Sequence, residues 1–318
     1  MISAWLEPLQ TLIALLQQWV FESMVQPLVF ALGATRWQEE AYDATEWLVI
    51  GVIEIVLLWL VLGTLQRLWP AEPMRDRAAV RTDVLYTALK RLGVIPVLIF
   101  LLLTPIFDTL EGWLRLAGFS RLNLEALVPA LDGRPLAAFL VYLVVLDFAE
   151  YWIHRGQHSI GWWWDLHAVH HSQQQMTFWS DERSHLLEDV IRDGLLALLA
   201  IAIGVAPAQF MGLVIVSRVL QSLQHANLRW RFGAIGERLL VSPSFHRRHH
   251  AIGVGHEGTR HGCNFAVLFP IWDVIFRSAD FQPGFIPTGI RDQLEGRDYG
   301  RGFWSQQWRA LLRWGGRA

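Results

Sequence analysis

The apolar positions of this chain fall into long runs separated by polar connections. Residues 46–66 (EWLVIGVIEIVLLWLVLGTLQ) carry only two acids, Glu46 and the internal Glu54. A helix needs about 20 apolar residues to cross a bilayer, so this run predicts a span. Residues 92–108 (LGVIPVLIFLLLTPIFD) predict a second, with Pro96 and Pro105 placed to kink it. Residues 136–153 (LAAFLVYLVVLDFAEYWI) predict a third, which runs straight into His154. Residues 189–223 differ, because two shorter apolar stretches flank Gly204-Val-Ala-Pro207, a breaker signal. They predict a helical hairpin that enters the membrane and returns on the side it left. Residues 5–33 predict an amphipathic or tilted hydrophobic helix. At the other end, GFWSQQWRALLRW (302–314) sets Trp and Leu on one face and Arg on another, the pattern of an interfacial helix or a docking helix. The fold class expected from these runs is all-α, an integral-membrane helical bundle.

Composition agrees. Hydrophobic residues make up 53% and charged residues 18% of the 318 positions, against about 25% charged in typical globular chains. The chain has 17 Trp, a residue enriched at membrane interfaces. A net charge of −2 gives no case for nucleic-acid binding. Cys263 is the only cysteine, which excludes an internal disulfide and a cysteine-based zinc site. Residues 1–30 lack a basic start, and Glu7 and Glu22 interrupt the apolar run, so no cleavable signal peptide is expected. Basic residues set topology. Segment 67–91 holds Arg67, Arg75, Arg77, Arg81, Lys90 and Arg91, whereas 109–135 holds Arg115, Arg121 and Arg134. The excess places 67–91 in the cytoplasm and 109–135 outside. The span at 136–153 then delivers His154 to the cytoplasmic side.

All 12 histidines lie between His154 and His261. HAVHH (167–171) and HRRHH (246–250) repeat one spacing, and HRGQH (154–158) precedes them. On a helix of about 100° per residue, His170 lies about 60° to one side of His167 and His171 about 40° to the other. That spacing predicts three imidazoles in one volume for each box. A single HxxxH is commonly a surface pair beside a helix C-terminus. Two HxxHH boxes beside it, in a chain with no other histidine in its N-terminal half, point to metal. Eight such rings exceed one ion's needs and suit two, and neutral imidazole suits Fe, Cu, Ni and Zn. Asp147, Tyr151, His154 and His158 share one helical face, so Asp147 is placed to orient a ligand through its second ring nitrogen. No HExxH is present.

The motifs also carry a resemblance. Asp147-x-x-Glu150-Tyr151-Trp152-x-His154-Arg155-x-x-His158 is followed by His167-x-x-His170-His171-Ser172 and Arg183-Ser184-His185-x-x-Glu188. Gln224-His225-Ala226-Asn227, Pro243-Ser244-x-His246-Arg247-x-His249-His250, Asn264 and Trp272-Asp273 complete the series. Over about residues 140–280 the chain resembles the fatty acid hydroxylase / sterol desaturase superfamily of integral-membrane, non-haem di-iron enzymes. The resemblance implies a catalytic domain at 136–280, between N-terminal transmembrane helices (1–135) and a C-terminal tail (281–318). It implies His154, His158, His167, His170, His171, His225, His246, His249 and His250 as metal ligands on the cytosolic side. His185 and Asn264 match other motif positions and join Asp147 as candidate catalytic residues. His256 and His261 are expected to be loop histidines. Thr177, Leu186, Asn264-Phe-Ala and Phe276-Arg-Ser depart from common family residues without touching a ligand. The implied activity is O₂-dependent oxidation of a lipid C–H bond with two Fe ions, Zn being able to replace them in purified protein. The expected partners are a lipid substrate, the membrane and an external electron carrier of the small-cytochrome or ferredoxin type, since no flavin, haem or nicotinamide motif is present. A membrane dizinc hydrolase and a metal transporter are the alternatives that the histidines leave open.

Overall fold

Three helical segments of the chain, Thr35–Leu68, Val94–Leu116 and Pro135–Ser159, are long and apolar enough to cross a bilayer. The computed structural model describes residues 2–119, 122–253 and 262–316. In chain order, the N-terminal helices are α1 (Ile2–Val20), α2 (Gln26–Ala31), α3 (Gln38–Leu68), α4 (Arg77–Arg91), α5 (Val94–Leu116) and α6 (Leu124–Leu127). Then come α7 (Pro135–Ser159), α8 (Gly161–His171), α9 (Leu186–Ile203), α10 (Pro207–His225), α11 (Gly233–Leu239) and α12 (Pro243–His249). Short α13 (Ile271–Ile275) and α14 (Phe303–Trp314) close the series. The described residues contain no β-strand, only two isolated bridges, Pro70–Leu228 and Ala251–Thr288.

Each expected span is one of these helices. Their outward positions stay apolar: Val56, Leu57 and Leu60 on α3 and Leu102 and Ile106 on α5 are exposed. That surface is what lipid covers. Pro96 sits in the first turn of α5, where its missing N–H costs nothing, while Pro105 lies inside a helix that continues past it. The predicted hairpin is α9 and α10. Gly204 ends α9 in the left-handed region (φ +78°), a conformation that needs no Cβ, and Pro207 starts α10.

Glu54, the lone charge inside the first apolar run, is buried and bonded to Arg91 at 3.2 Å and Arg218 at 3.3 Å. Arg91 also reaches Asp181 at 2.8 Å and Ser222 Oγ at 2.7 Å. This buried network joins α3, α4 and α10 to the turn at 180–182. It sits where α3 and α4 cross closely: a Cβ on Gly51 would lie 1.7 Å from the Arg91 carbonyl oxygen. The C-terminal helix α14 is both docked and exposed. Its Gln307 donates to Tyr86 Oη and the Ser184 carbonyl, and Arg313 donates to the Asp165 carbonyl. Trp304 and Trp308 face outward.

Candidate metal centre

His154 and His158 occupy the last turns of α7, one above the other at i and i+4. The chain breaks at Ile160 and restarts as α8, which carries His167, His170 and His171 at its C-terminal end. His225 ends α10. Ser242 caps α12 by accepting from the Phe245 N–H, and Pro243 starts it, so this two-turn helix presents His246 and His249, with His250 as its C-cap.

The nine rings form two adjoining groups. His154, His158, His167, His171 and His249 make the first, and His170, His225, His246 and His250 the second. Within each group the ligating atoms lie within 4.8 Å of one another. The groups touch where the His171 and His250 rings stack, 4.3 Å between centroids. The expectation of three rings in one volume per box is therefore corrected. His167 and His171, at i and i+4, serve one group, while His170 serves the other; His246 and His250 serve one, and His249 the other. The physical reason is the helical pitch, which sets positions i+3 and i+4 about 100° apart.

The ring nitrogens face their groups in a defined way. Nδ1 of His154 donates to the Phe265 carbonyl (2.8 Å), Nδ1 of His249 to the Cys263 carbonyl (2.7 Å) and Nδ1 of His170 to the Arg183 carbonyl (2.9 Å). His225 Nδ1 donates to the Gln221 carbonyl (2.8 Å), and His167 Nδ1 to Glu188 Oε1 (2.6 Å). A carbonyl can only accept, so Nδ1 carries the proton and Nε2 offers its lone pair, the arrangement typical of metal-ligating histidine. Nε2 of His167 and His171 are buried without a hydrogen-bond partner. In the second group, Nε2 atoms of His225 lie 3.2 Å from His170 and 3.0 Å from His246, and His250 lies 3.1 Å from His246. Two nitrogens bound to one ion at about 2.0–2.1 Å are about 3.0 Å apart at a right angle and about 3.4 Å apart at the tetrahedral angle, so the donor set fits an ion. Burial first, and then the neighbouring rings, hold His170, His171, His246 and His250 well below the ordinary imidazole value. They stay neutral, the form a metal binds.

Residues 139–278, which hold all nine rings, match the family model for fatty acid hydroxylases. This segment is similar to the fatty acid hydroxylase family. It is 31% identical over 136 residues to an alkylglycerol monooxygenase of Caenorhabditis elegans, covering 42% of this chain and 25% of that protein. It is 27% identical over 143 residues to the ornithine lipid hydroxylase OlsE of Rhizobium tropici, covering 45% of this chain and 42% of that one. The chain thus spans less than half the length of these curated relatives. No solved structure matches it.

Within this matched segment the three non-histidine-box candidates stand apart from the rings. Asp147 does not reach an imidazole; it accepts from the Leu268 and Phe269 N–H groups and the Trp272 indole at 2.7, 3.2 and 2.8 Å. A carboxylate two helical turns from His154 on the same face is expected to orient that ring, but the 265–269 segment lies between them. His185 caps α9: its Nδ1 accepts from the Leu187 N–H, and its Nε2 donates to the Gln307 carbonyl. Both nitrogens are thereby used by backbone groups. Asn264 is fully buried in the left-handed region (φ 59°) and clamps the Phe245 and Asp280 backbones. It stands between Cys263 and Phe265, whose carbonyls hold His249 and His154, so it acts by positioning them. Asp273 supports the same segment, accepting from the Phe265 and Ala266 N–H groups. Glu188 is the functional residue that sequence reasoning assigned no such role. Its Oε1 takes both His167 Nδ1 and Gln157 Nε2, and its place three residues after His185 in the motif was the available signal. His256 and His261 lie outside the described residues.

The rings look into a cavity of about 1660 Å³. His154, His167, His170, His225 and His246 line it, together with apolar side chains of α3, α5, α7, α9 and α10 and charged side chains that include Glu150, Asp181 and Arg192.

Proposed function

We propose that the chain is a membrane-bound di-iron oxygenase that oxidises a lipid C–H bond. The observation that carries this is the meeting of two all-imidazole groups with one large, apolar-walled cavity. In hydroxylation, C–H, O₂, two electrons and two protons give C–OH and water. Desaturation and ether-lipid oxidation draw on the same inputs. Bound iron would supply O₂ activation; the chain's residues hold the rings neutral, aim their Nε2 atoms and bury the reacting carbon away from water. Names of the relatives, a monooxygenase of alkylglycerols and a hydroxylase of ornithine lipids, support an oxidoreductase acting on lipids. The electrons come from an external small cytochrome or ferredoxin-type carrier on the cytoplasmic side. The basic excess in 67–91, and the return of α10 to the side that α9 leaves, support a multi-pass chain with the rings on that side.

The dizinc hydrolase is disfavoured, because no carboxylate joins either ligand group among the described residues. Glu188 is engaged with His167, and Asp181 with Arg91. A transporter would set its ligands inside the spans near the bilayer midplane, whereas these lie at helix ends. The deciding experiment supplies ¹⁸O₂, a reductant and a lipid extract to iron-loaded protein in detergent. The proposal expects ¹⁸O in lipid product, or O₂-dependent loss of two hydrogens. Turnover at an unchanged rate without O₂ would overturn it.

A further inference from the structure

The outward surface of α7 continues onto the part of the chain that holds the rings. Leu136, Leu140, Val144, Phe148 and Trp152 recur every fourth residue and are all exposed, a ridge that winds along the helix. Exposed Asp132 and Arg134 mark the end of α7 far from the rings. At about 1.5 Å per residue, Phe148 lies about 18 Å and Trp152 about 24 Å beyond Leu136, both inside a hydrocarbon core of about 30 Å. The Arg155 guanidinium sits over the Trp152 ring at 5.6 Å, the pairing of aromatic and basic groups found at a membrane interface.

Two short helices pack against this level. Trp272 of α13 lies 4.8 Å from Phe148, and Phe276, its C-cap, lies 4.8 Å from Trp152, between ring centroids. α11 packs on α13, and the Val241 N–H just beyond α11 donates to the Leu268 carbonyl at 2.9 Å. With Trp272 turned inward, α13 presents Ile271, Val274 and Ile275 outward, and α11 presents Ile235 (76% exposed) and Leu239 (64% exposed). Contiguous apolar surface of this kind marks an interaction site. Here it is continuous with the surface that lipid covers and starts at a depth inside the hydrocarbon core.

Charge selects the lipid. The acids of these two helices, Glu237 and Asp273, are buried, whereas Arg231, Arg238 and Arg277 at their ends are exposed. An apolar face rimmed by arginine matches an anionic membrane surface. A soluble acidic protein would have to enter the bilayer to meet the same face. We propose that α11 and α13 form a shelf embedded in the leaflet on the ring side, with Ile235, Leu239 and Ile275 among acyl chains and the arginines on anionic headgroups.

The shelf carries the segment that fixes two rings. Asp273 of α13 accepts from the Phe265 and Ala266 N–H groups, and the Ser278 carbonyl accepts from the Asn264 N–H at 2.9 Å. The Phe265 and Cys263 carbonyls in turn hold His154 and His249. The leaflet thereby sets the depth of the rings through α13, whichever reaction they serve.

The test places full-length protein in nanodiscs of mixed phosphatidylcholine and phosphatidylglycerol, which leave both faces accessible. Ile235→Cys, Ile275→Cys, Val144→Cys and Glu295→Cys each carry one fluorophore; native Cys263 is buried and stays in place. A nitroxide on the acyl chain should quench Ile235→Cys and Ile275→Cys at least about half as strongly as Val144→Cys in the span. A water-soluble nickel chelate should quench them at least about threefold less than Glu295→Cys in the polar 291–301 segment. Carried by phosphatidylglycerol, the nitroxide should quench Ile275→Cys at least about twofold more than when carried by phosphatidylcholine. The triple variant Arg231→Gln/Arg238→Gln/Arg277→Gln should abolish that preference. Chelate quenching at the Glu295→Cys level would overturn the shelf and leave the face to a protein partner. Equal quenching by the two lipids, or a preference that survives the triple variant, would overturn the anionic headgroup assignment.

Discussion

The two imidazole groups share the HAVHH and HRRHH boxes but are held differently. The five-ring group has three rings fixed through Nδ1, His154 and His249 by carbonyls of one segment and His167 by the Glu188 carboxylate. The four-ring group has His170 and His225 fixed by carbonyls, while Nδ1 of both His246 and His250 has no hydrogen-bond partner. The cavity meets His170, His225 and His246 of the smaller group, but only His154 and His167 of the larger. The larger group is thus the more saturated and the better anchored. The smaller one has fewer donors and faces the substrate space. On the proposed reading a tightly held ion would sit beside a more open one, because the doublets His170-His171 and His249-His250 are shared, one ring to each side.

Ligand removal is the strongest way to break this comparison. His171→Ala and His250→Ala should each lower activity by more than about 100-fold, since each deletes a ring from one group. Elemental analysis should show the metal loss, and full metal retention in either variant would contradict the two-group description. Glu188→Gln should cost about 10- to 100-fold in affinity at the larger group only, because it weakens the partner of His167. Chelator competition would resolve that, and loss confined to the smaller group would reverse the assignment.

Acid comes next. His170, His171, His246 and His250 are depressed in the fold and return to about 6.5 on unfolding. The unfolded chain then binds more protons, so stability is complete above that value and falls as pH drops through it towards the folded values. Metal-free protein should show a flat melting temperature above about pH 7.5 and a declining one from about pH 7 to 5. A flat profile to pH 5 would mean that the rings are not buried neutral. The smallest effect is expected at His185→Ala, about 1 kcal/mol of stability from the lost cap with metal content unchanged. Metal loss there would return His185 to the centre.

Much of this was legible in the sequence. The apolar runs at 46–66 and 136–153 each lie within one helix, the run at 92–108 does so from Val94 onward, and the Gly204–Pro207 breaker marks the α9–α10 turn, because length and hydropathy decide such elements locally. The nine clustered histidines are visible from spacing and motif. Their division into groups was not, since it depends on how α8 and α12 face each other. The roles of Asp147, His185 and Asn264 also escaped the sequence. Each acts on backbone far away in the chain: Asp147 on residue 268, His185 on residue 307 and Asn264 on residue 245. Glu54 and Arg91 show the same limit, because a charge inside an apolar run reveals neither its partner nor its depth.

The most direct test of the central claim is the metal stoichiometry of detergent-purified, full-length protein, with His171→Ala and His250→Ala measured alongside. The account predicts about two ions per wild-type chain, iron after anaerobic loading or zinc from ordinary purification, since zinc ranks above ferrous iron in divalent affinity. Each variant should fall to about one ion, or below it where the neighbouring group loosens as well. One ion in the wild type, or two in either variant, would contradict it.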